Sequence, residues 1–132
     1  MPVQVEMFLR LLLAAVLGLI IGYQRETHGK PAGARTLGLI GVGAGMFGVI
    51  SLNGFLGNNP DVIAAGVVTG VGFLGAGAIL HRQGGVEGLT TAATIWVTAG
   101  VGLAAGAGLY ILAPAVTAMS VIILLLPHKE IK

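Results

Sequence analysis

The chain has 132 residues, 55% of them hydrophobic and only 9% charged, with a net charge of +2; an ordinary soluble domain is roughly a quarter charged. Its 23 glycines sit among Leu, Val, Ile and Ala rather than Ser and Gln, which excludes a disordered segment, a nucleic-acid-binding domain and a conventional soluble enzyme. An integral membrane protein remains, and the absence of cysteine removes disulfides, thiolate metal sites and Cys nucleophiles.

A bilayer-spanning helix needs about 20 mostly apolar residues, and five stretches approach that. The first, residues 7–23, carries one charge, Arg10, with Glu6 four positions earlier in the right order for an i,i+4 pair. Arg10 reads as a snorkelling, self-paired interfacial residue that orients the helix, against the alternative of a functional intramembrane charge. A cleaved signal peptide is the other reading of this span. Glu6 in the n-region, the lack of an A-x-A site and the immediate Arg25-Glu26 favour a retained helix. A polar loop with Arg25, Glu26, Lys30 and Arg35 follows, then the second span, 36–56, whose one carboxamide, Asn53, is expected to bridge helices. Asn58-Asn59-Pro60-Asp61 reads as a helix start: Asn59 as cap, Pro60 at the first position, Asp61 on the positive end of the dipole.

The third span covers 62–80, and a loop with Arg82 and Glu87 leads to the fourth, 90–105. Thr90, Thr94 and Thr98 recur there every four residues as a polar stripe flanked by Thr91 and Trp96. Its hydroxyls can serve helix packing or line a hydrated vestibule. A turn at Gly106-Ala107-Gly108 separates the fifth span, 109–126, which Pro127 closes. The pattern predicts an all-α integral membrane protein, a single domain over residues 1–132 built as a bundle of about five short, glycine-rich transmembrane helices.

Basic residues set the orientation. Arg25, Lys30 and Arg35 in the first loop, Arg82 in the third, and Lys129 and Lys132 in the tail fall on one side if the N-terminus is outside and the C-terminus inside. Opposite charges on the two inner loops could pair into a network or hold lipid head groups.

Small residues let helices approach closely in lipid. Four G-x-x-x-G pairs, Gly18/Gly22, Gly41/Gly45, Gly66/Gly70 and Gly102/Gly106, together with Gly75 and Gly77, predict tight packing on the middle three helices and make a homo-oligomer plausible. The run from Gly70 to Gly75 formally matches a dinucleotide fingerprint, but no strand, βαβ unit or ribose-binding acid accompanies it. No Asp or Glu lies near the centre of a span, and His28, His81 and His128 share no helical spacing. No catalytic or metal residues and no cofactor are therefore assigned; Mg²⁺ is conceivable but has no ligand spacing behind it.

The runs GLIIGYQRE (18–26), GARTLGLIGVGAG (33–45), IAAGVVTGVGFLGAGAIL (63–80) and VEGLTTAATIWVTAGVGLAAGAGLY (86–110) resemble the MgtC/SapB family of bacterial inner-membrane proteins over nearly the whole chain. The resemblance implies a multi-pass domain of four or five helices in the inner membrane. It also implies a role in adaptation to low Mg²⁺ and in virulence, and regulation of other membrane proteins, notably the F-type ATP synthase. Longer members add a cytoplasmic C-terminal domain past the point corresponding to Lys132. Where members often read D-P-x-R-x-A-A-Q, this chain has Asn59, Pro60, Asp61, Val62, Ile63, Ala64, Ala65 and Gly66. The motif positions Arg25, Glu26, Arg35, Gly75, Gly77, Gly88, Thr90, Thr91 and Trp96 are then the signature residues. Two functions compete: a non-enzymatic regulator acting by helix–helix contact, and a small oligomeric transporter or channel for Mg²⁺ or another ion built around the threonine stripe.

Overall fold

The computed structural model describes residues 2–54, 59–82 and 85–127. Five helices and one short hairpin follow in order: α1 (Val3–Thr27), α2 (Ala34–Asn53), α3 (Pro60–Gly77), β1 (Leu80–Arg82), β2 (Gly85–Glu87), α4 (Leu89–Gly106) and α5 (Leu112–Leu124). The first four helices are each long and apolar enough to cross a membrane. The chain is an all-α multi-pass membrane protein, with the hairpin as a small addition.

The helix ends differ from the expected spans for local reasons. α1 runs to Thr27 because the chain stops in a Schellman turn: Gly29 takes φ 65°, its N–H donates to the Glu26 carbonyl at 3.0 Å, and Lys30 N–H donates to the Arg25 carbonyl at 2.9 Å. At 25 residues α1 is about 37 Å long, more than the ~30 Å hydrocarbon core, so its polar ends reach beyond it. α2 starts at Ala34 rather than Thr36, because the Glu26 carboxylate of α1 accepts the Ala34 N–H at 3.0 Å and supplies the cap that Gly33 lacks. α3 does begin with Pro60 in its first turn, but Asn59 makes no side-chain cap bond; Asp61 lies exposed in that first turn. Asn58 and residues 55–56 of the expected second span lie outside the described residues.

α3 ends at Gly77, three residues short of the expected boundary, because the chain turns into an antiparallel pair with register Leu80↔Glu87, His81↔Val86 and Arg82↔Gly85. Three-residue strands in a polar loop carry too little alternation to be seen in sequence. α4 ends at Gly106, one residue past the expected end at Ala105. Gly108 takes φ 84°, its N–H donates to the Ala105 carbonyl, and Leu109 N–H donates to the Ala104 carbonyl. The fifth span is a correction: α5 has 13 residues, about 20 Å, which is short of a full crossing.

The core is a triangle of α1, α2 and α4 held together at glycines. An added methyl at Gly22 would stand 2.5 Å from Ala34 Cα, at Gly41 2.6 Å from the Ala14 carbonyl oxygen, and at Gly45 2.7 Å from Ala14 Cβ. At Gly18, Gly102 and Gly106 it would overlap the carbonyls of Leu37, Gly41 and Gly45. Around these contacts pack Ala14, Leu17, Val101, Ala105 and Ala113 toward one end, and Ile21, Leu37 and Ile95 toward the other. α3 breaks the expected pattern. Gly75 is its one buried residue and touches Ala92 of α4 at ordinary distance, while nothing lies within 4 Å of the Cβ positions of Gly66, Gly70 and Gly77. Three of the four G-x-x-x-G pairs seal the subunit; the fourth, Gly66/Gly70, does not.

Candidate functional site

Two polar clusters lie at the ends of the helix triangle. At the N-terminal end of α1, Arg10 donates to Glu6 Oε1 at 2.8 Å, to the Tyr110 hydroxyl at 3.1 Å and to the Gly106 carbonyl at 3.2 Å. Tyr110 donates in turn to Glu6 Oε1 at 3.0 Å. The expected i,i+4 pair is present, but it also clasps the α4–α5 turn. Gly108 leaves room for the guanidinium, which a Cβ there would approach to 3.0 Å. Neither Tyr110 nor the Gly106 carbonyl was visible as a partner in sequence, because they lie about a hundred positions away.

The second cluster forms at the opposite end of α1. Arg25 is 3% exposed. Its Nε donates to the Pro31 carbonyl at 3.1 Å and its Nη2 to the Thr91 hydroxyl of α4, so one side chain ties the first loop to the start of the fourth helix. Beside it, Glu26 reaches over Gly33 to cap α2; a Cβ on Gly33 would stand 2.5 Å from the carboxylate oxygen. Gly88, at φ 92°, fits against the Ala78 carbonyl and starts α4. The expected charge network between the two inner loops does not form around Arg25 or Arg35. Among the described residues an ion pair joins Glu6 to Arg10; Arg25 is satisfied by neutral oxygens, and Glu26 accepts from a backbone amide.

Arg35 and Thr36 lie exposed on the first turn of α2, where they line, with Glu26, Gly33 and Leu39, a shallow cavity of about 280 Å³. Lys30 is exposed in the loop, Glu87 lies in β2 and Arg82 in β1. Lys129, Lys132 and His128 lie outside the described residues. Among the described residues no three His, Cys, Asp or Glu side chains come together as a metal site.

The threonine stripe divides. Thr90 is exposed, Thr91 belongs to Arg25, and Thr94 and Thr98 are buried and donate to the carbonyls of Thr90 and Thr94 at 2.7 Å. Trp96 faces outward at 56% exposure. Asn53 does not bridge helices, as its amide donates to the Val49 carbonyl of its own helix at 3.0 Å. A polar side chain in an apolar helix finds its nearest free lone pair one turn back, and that local partner wins here.

A family model described as the MgtC family matches residues 11–130. The chain belongs to the MgtC family. YhiD of Escherichia coli strain K12, whose name marks it as a candidate magnesium transporter, is 46% identical over 132 residues, covering 94% of this chain and 61% of that protein. SrpB of Synechococcus elongatus is 43% identical, covering 76% of this chain and 63% of its own length. MgtC of Salmonella typhimurium is 44% identical, covering 76% and 43%. The chain therefore spans less than two thirds of each of these relatives. No solved structure matches it.

Proposed function

We propose that this MgtC-family domain is a non-enzymatic inner-membrane component of Mg²⁺ homeostasis, linked to virulence in organisms that use it so, and that it acts by helix contact on other membrane proteins, the F-type ATP synthase among them. One observation carries the reading. Ala65, Thr69, Gly72 and Ala76 of α3 are all exposed, so a helix surface with little side-chain bulk faces outward. Lipid is solvated as well by large side chains, whereas small ones let a second helix approach. A second copy of the chain can take the same face, which makes a homo-oligomer part of the proposal. Burial of Thr94 and Thr98, with their hydroxyls spent on their own helix, supports contact over conduction along that stripe.

The test pairs two assays. Gly72→Leu and Ala76→Leu should abolish self-association and co-purification of ATP synthase subunits from membranes without affecting insertion. Purified protein in proteoliposomes with a trapped Mg²⁺ indicator should show no saturable flux. Association that survives both substitutions, or saturable flux lost in Thr94→Val, would replace this reading with transport.

A further inference from the structure

Five glycines of α2 and α3 touch nothing, and three of them share one place. Gly43, Gly66 and Gly70 all line one apolar groove of about 710 Å³ between these helices, together with Leu39, Phe47 and Leu74. Nothing lies within 4 Å of where their side chains would be, so all three face open space in the groove, and a larger side chain there would enter it. On α2, Arg35, Leu39, Gly43 and Phe47 are spaced by four and form one stripe along the helix. Leu39, 70% exposed, lines both this groove and the charged cavity that holds Arg35 and Thr36, so the two adjoin at its side chain.

We propose that this groove binds one phospholipid, its phosphate on Arg35 and an acyl chain along the glycine-lined wall. Three observations choose this occupant over a partner helix. The first is charge: Arg35 and Thr36 make no hydrogen bond or ion pair among the described residues, and the Glu26 carboxylate beside them already accepts the Ala34 N–H. A free guanidinium and a free hydroxyl at the head of an apolar slot match a phosphate ester. The second is length. The wall runs from residue 39 to 50 on α2 and from 63 to 74 on α3. From Arg35 to Ile50 α2 rises about 22 Å, so the slot reaches past the middle of the ~30 Å hydrocarbon core, far enough for one extended acyl chain hung from a phosphate on Arg35. The third is side: the basic loops place Arg35 at the inner face, where the groove opens beneath the head groups. The site holds whether the domain regulates or transports.

Native mass spectrometry of the purified chain in mixed micelles tests the proposal, with palmitoyl-oleoyl phosphatidylethanolamine and the diacylglycerol of the same chains as probes. Wild type should retain one phosphatidylethanolamine and no diacylglycerol. Gly43→Leu and Gly70→Leu should each abolish retention, and Arg35→Gln should lower it about tenfold, the loss of one hydrogen-bonded charge. Gly100→Leu, at an exposed glycine with nothing within 4 Å outside the groove, should retain it like wild type. Helicity by circular dichroism verifies that each variant is folded; Gly43 and Gly70 lie on different helices, so either alone suffices to block the slot. Retention unchanged in both leucine variants, or equal retention of diacylglycerol, would overturn the assignment.

Discussion

Gly100 and Gly102 lie two positions apart in α4 and should respond to the same substitution with opposite sign. At Gly102 a methyl would overlap the Gly41 carbonyl of α2 and stand 2.9 Å from Ala44 Cβ, where ordinary contact begins at 3.4 Å. Both neighbours are backbone or backbone-fixed atoms on a packed helix, so no rotamer change relieves the overlap and α2 and α4 must separate. Overpacking of this kind costs about 2–3 kcal/mol, offset by the ~1 kcal/mol that alanine gains over glycine in a helix. Gly102→Ala should therefore lose about 1–2 kcal/mol. At Gly100 nothing lies within 4 Å and only the propensity gain remains, up to about 1 kcal/mol. The two variants should differ by about 2–3 kcal/mol, a 30- to 150-fold change in the unfolding ratio. Equilibrium unfolding in mixed micelles, followed by helicity, measures it. Shifts of the same sign and similar size would refute the claim that α4 is sealed to α2 by backbone approach.

Four further outcomes are expected. Arg25→Met should destabilise by about 2–4 kcal/mol, because it removes two charge-assisted hydrogen bonds and leaves the Pro31 carbonyl and Thr91 hydroxyl without their donor, and it should expose the Lys30 loop to trypsin in inverted vesicles. Glu26→Ala should cost about 1 kcal/mol as the loss of a helix cap, and Gly33→Ala should add almost nothing on top of it in a double-mutant cycle, since both remove the same contact. Asn53→Leu should change stability by less than about 0.5 kcal/mol in the same unfolding assay, as expected of a side chain bonded within its own helix. Thr98→Val should likewise stay within about 1 kcal/mol, because the hydroxyl it loses serves a carbonyl one turn back.

The helices and their number were legible because an apolar run of spanning length has few alternatives, and the turn at Gly106–Gly108 because glycine there permits φ 84°. What escaped was tertiary. Glu26 caps a helix that begins eight residues later, so α2 started two residues before the expected place. Arg25 read as a loop charge for a network or a lipid head group, yet it meets Thr91 and the Pro31 carbonyl, partners that carry no charge signal in sequence. The short length of α5 was hidden by the continuous apolar run through 109–126, in which nothing distinguishes helix from the turns that flank it. The Glu6–Arg10 pair was legible because both partners lie on one helix turn; its extension to Tyr110 was not.

The glycines carry the sharpest lesson, because one motif has two physical meanings here. In Gly41/Gly45 and Gly102/Gly106 the missing side chains are filled by a neighbour's backbone, and the benefit is close approach. In Gly66/Gly70 the same spacing leaves space that nothing in the subunit fills. A glycine in a helix interior costs up to about 1 kcal/mol against alanine wherever it is not repaid by contact. A helix that keeps five glycines in 18 residues while burying one of them bears that cost without an internal return. In the two proposals made above the return comes from outside the chain: a lipid along the face turned toward α2, and another helix against the face turned away from it. The two occupants use different sides of α3, so Gly70→Leu should remove the first without the second, and Gly72→Leu the second without the first.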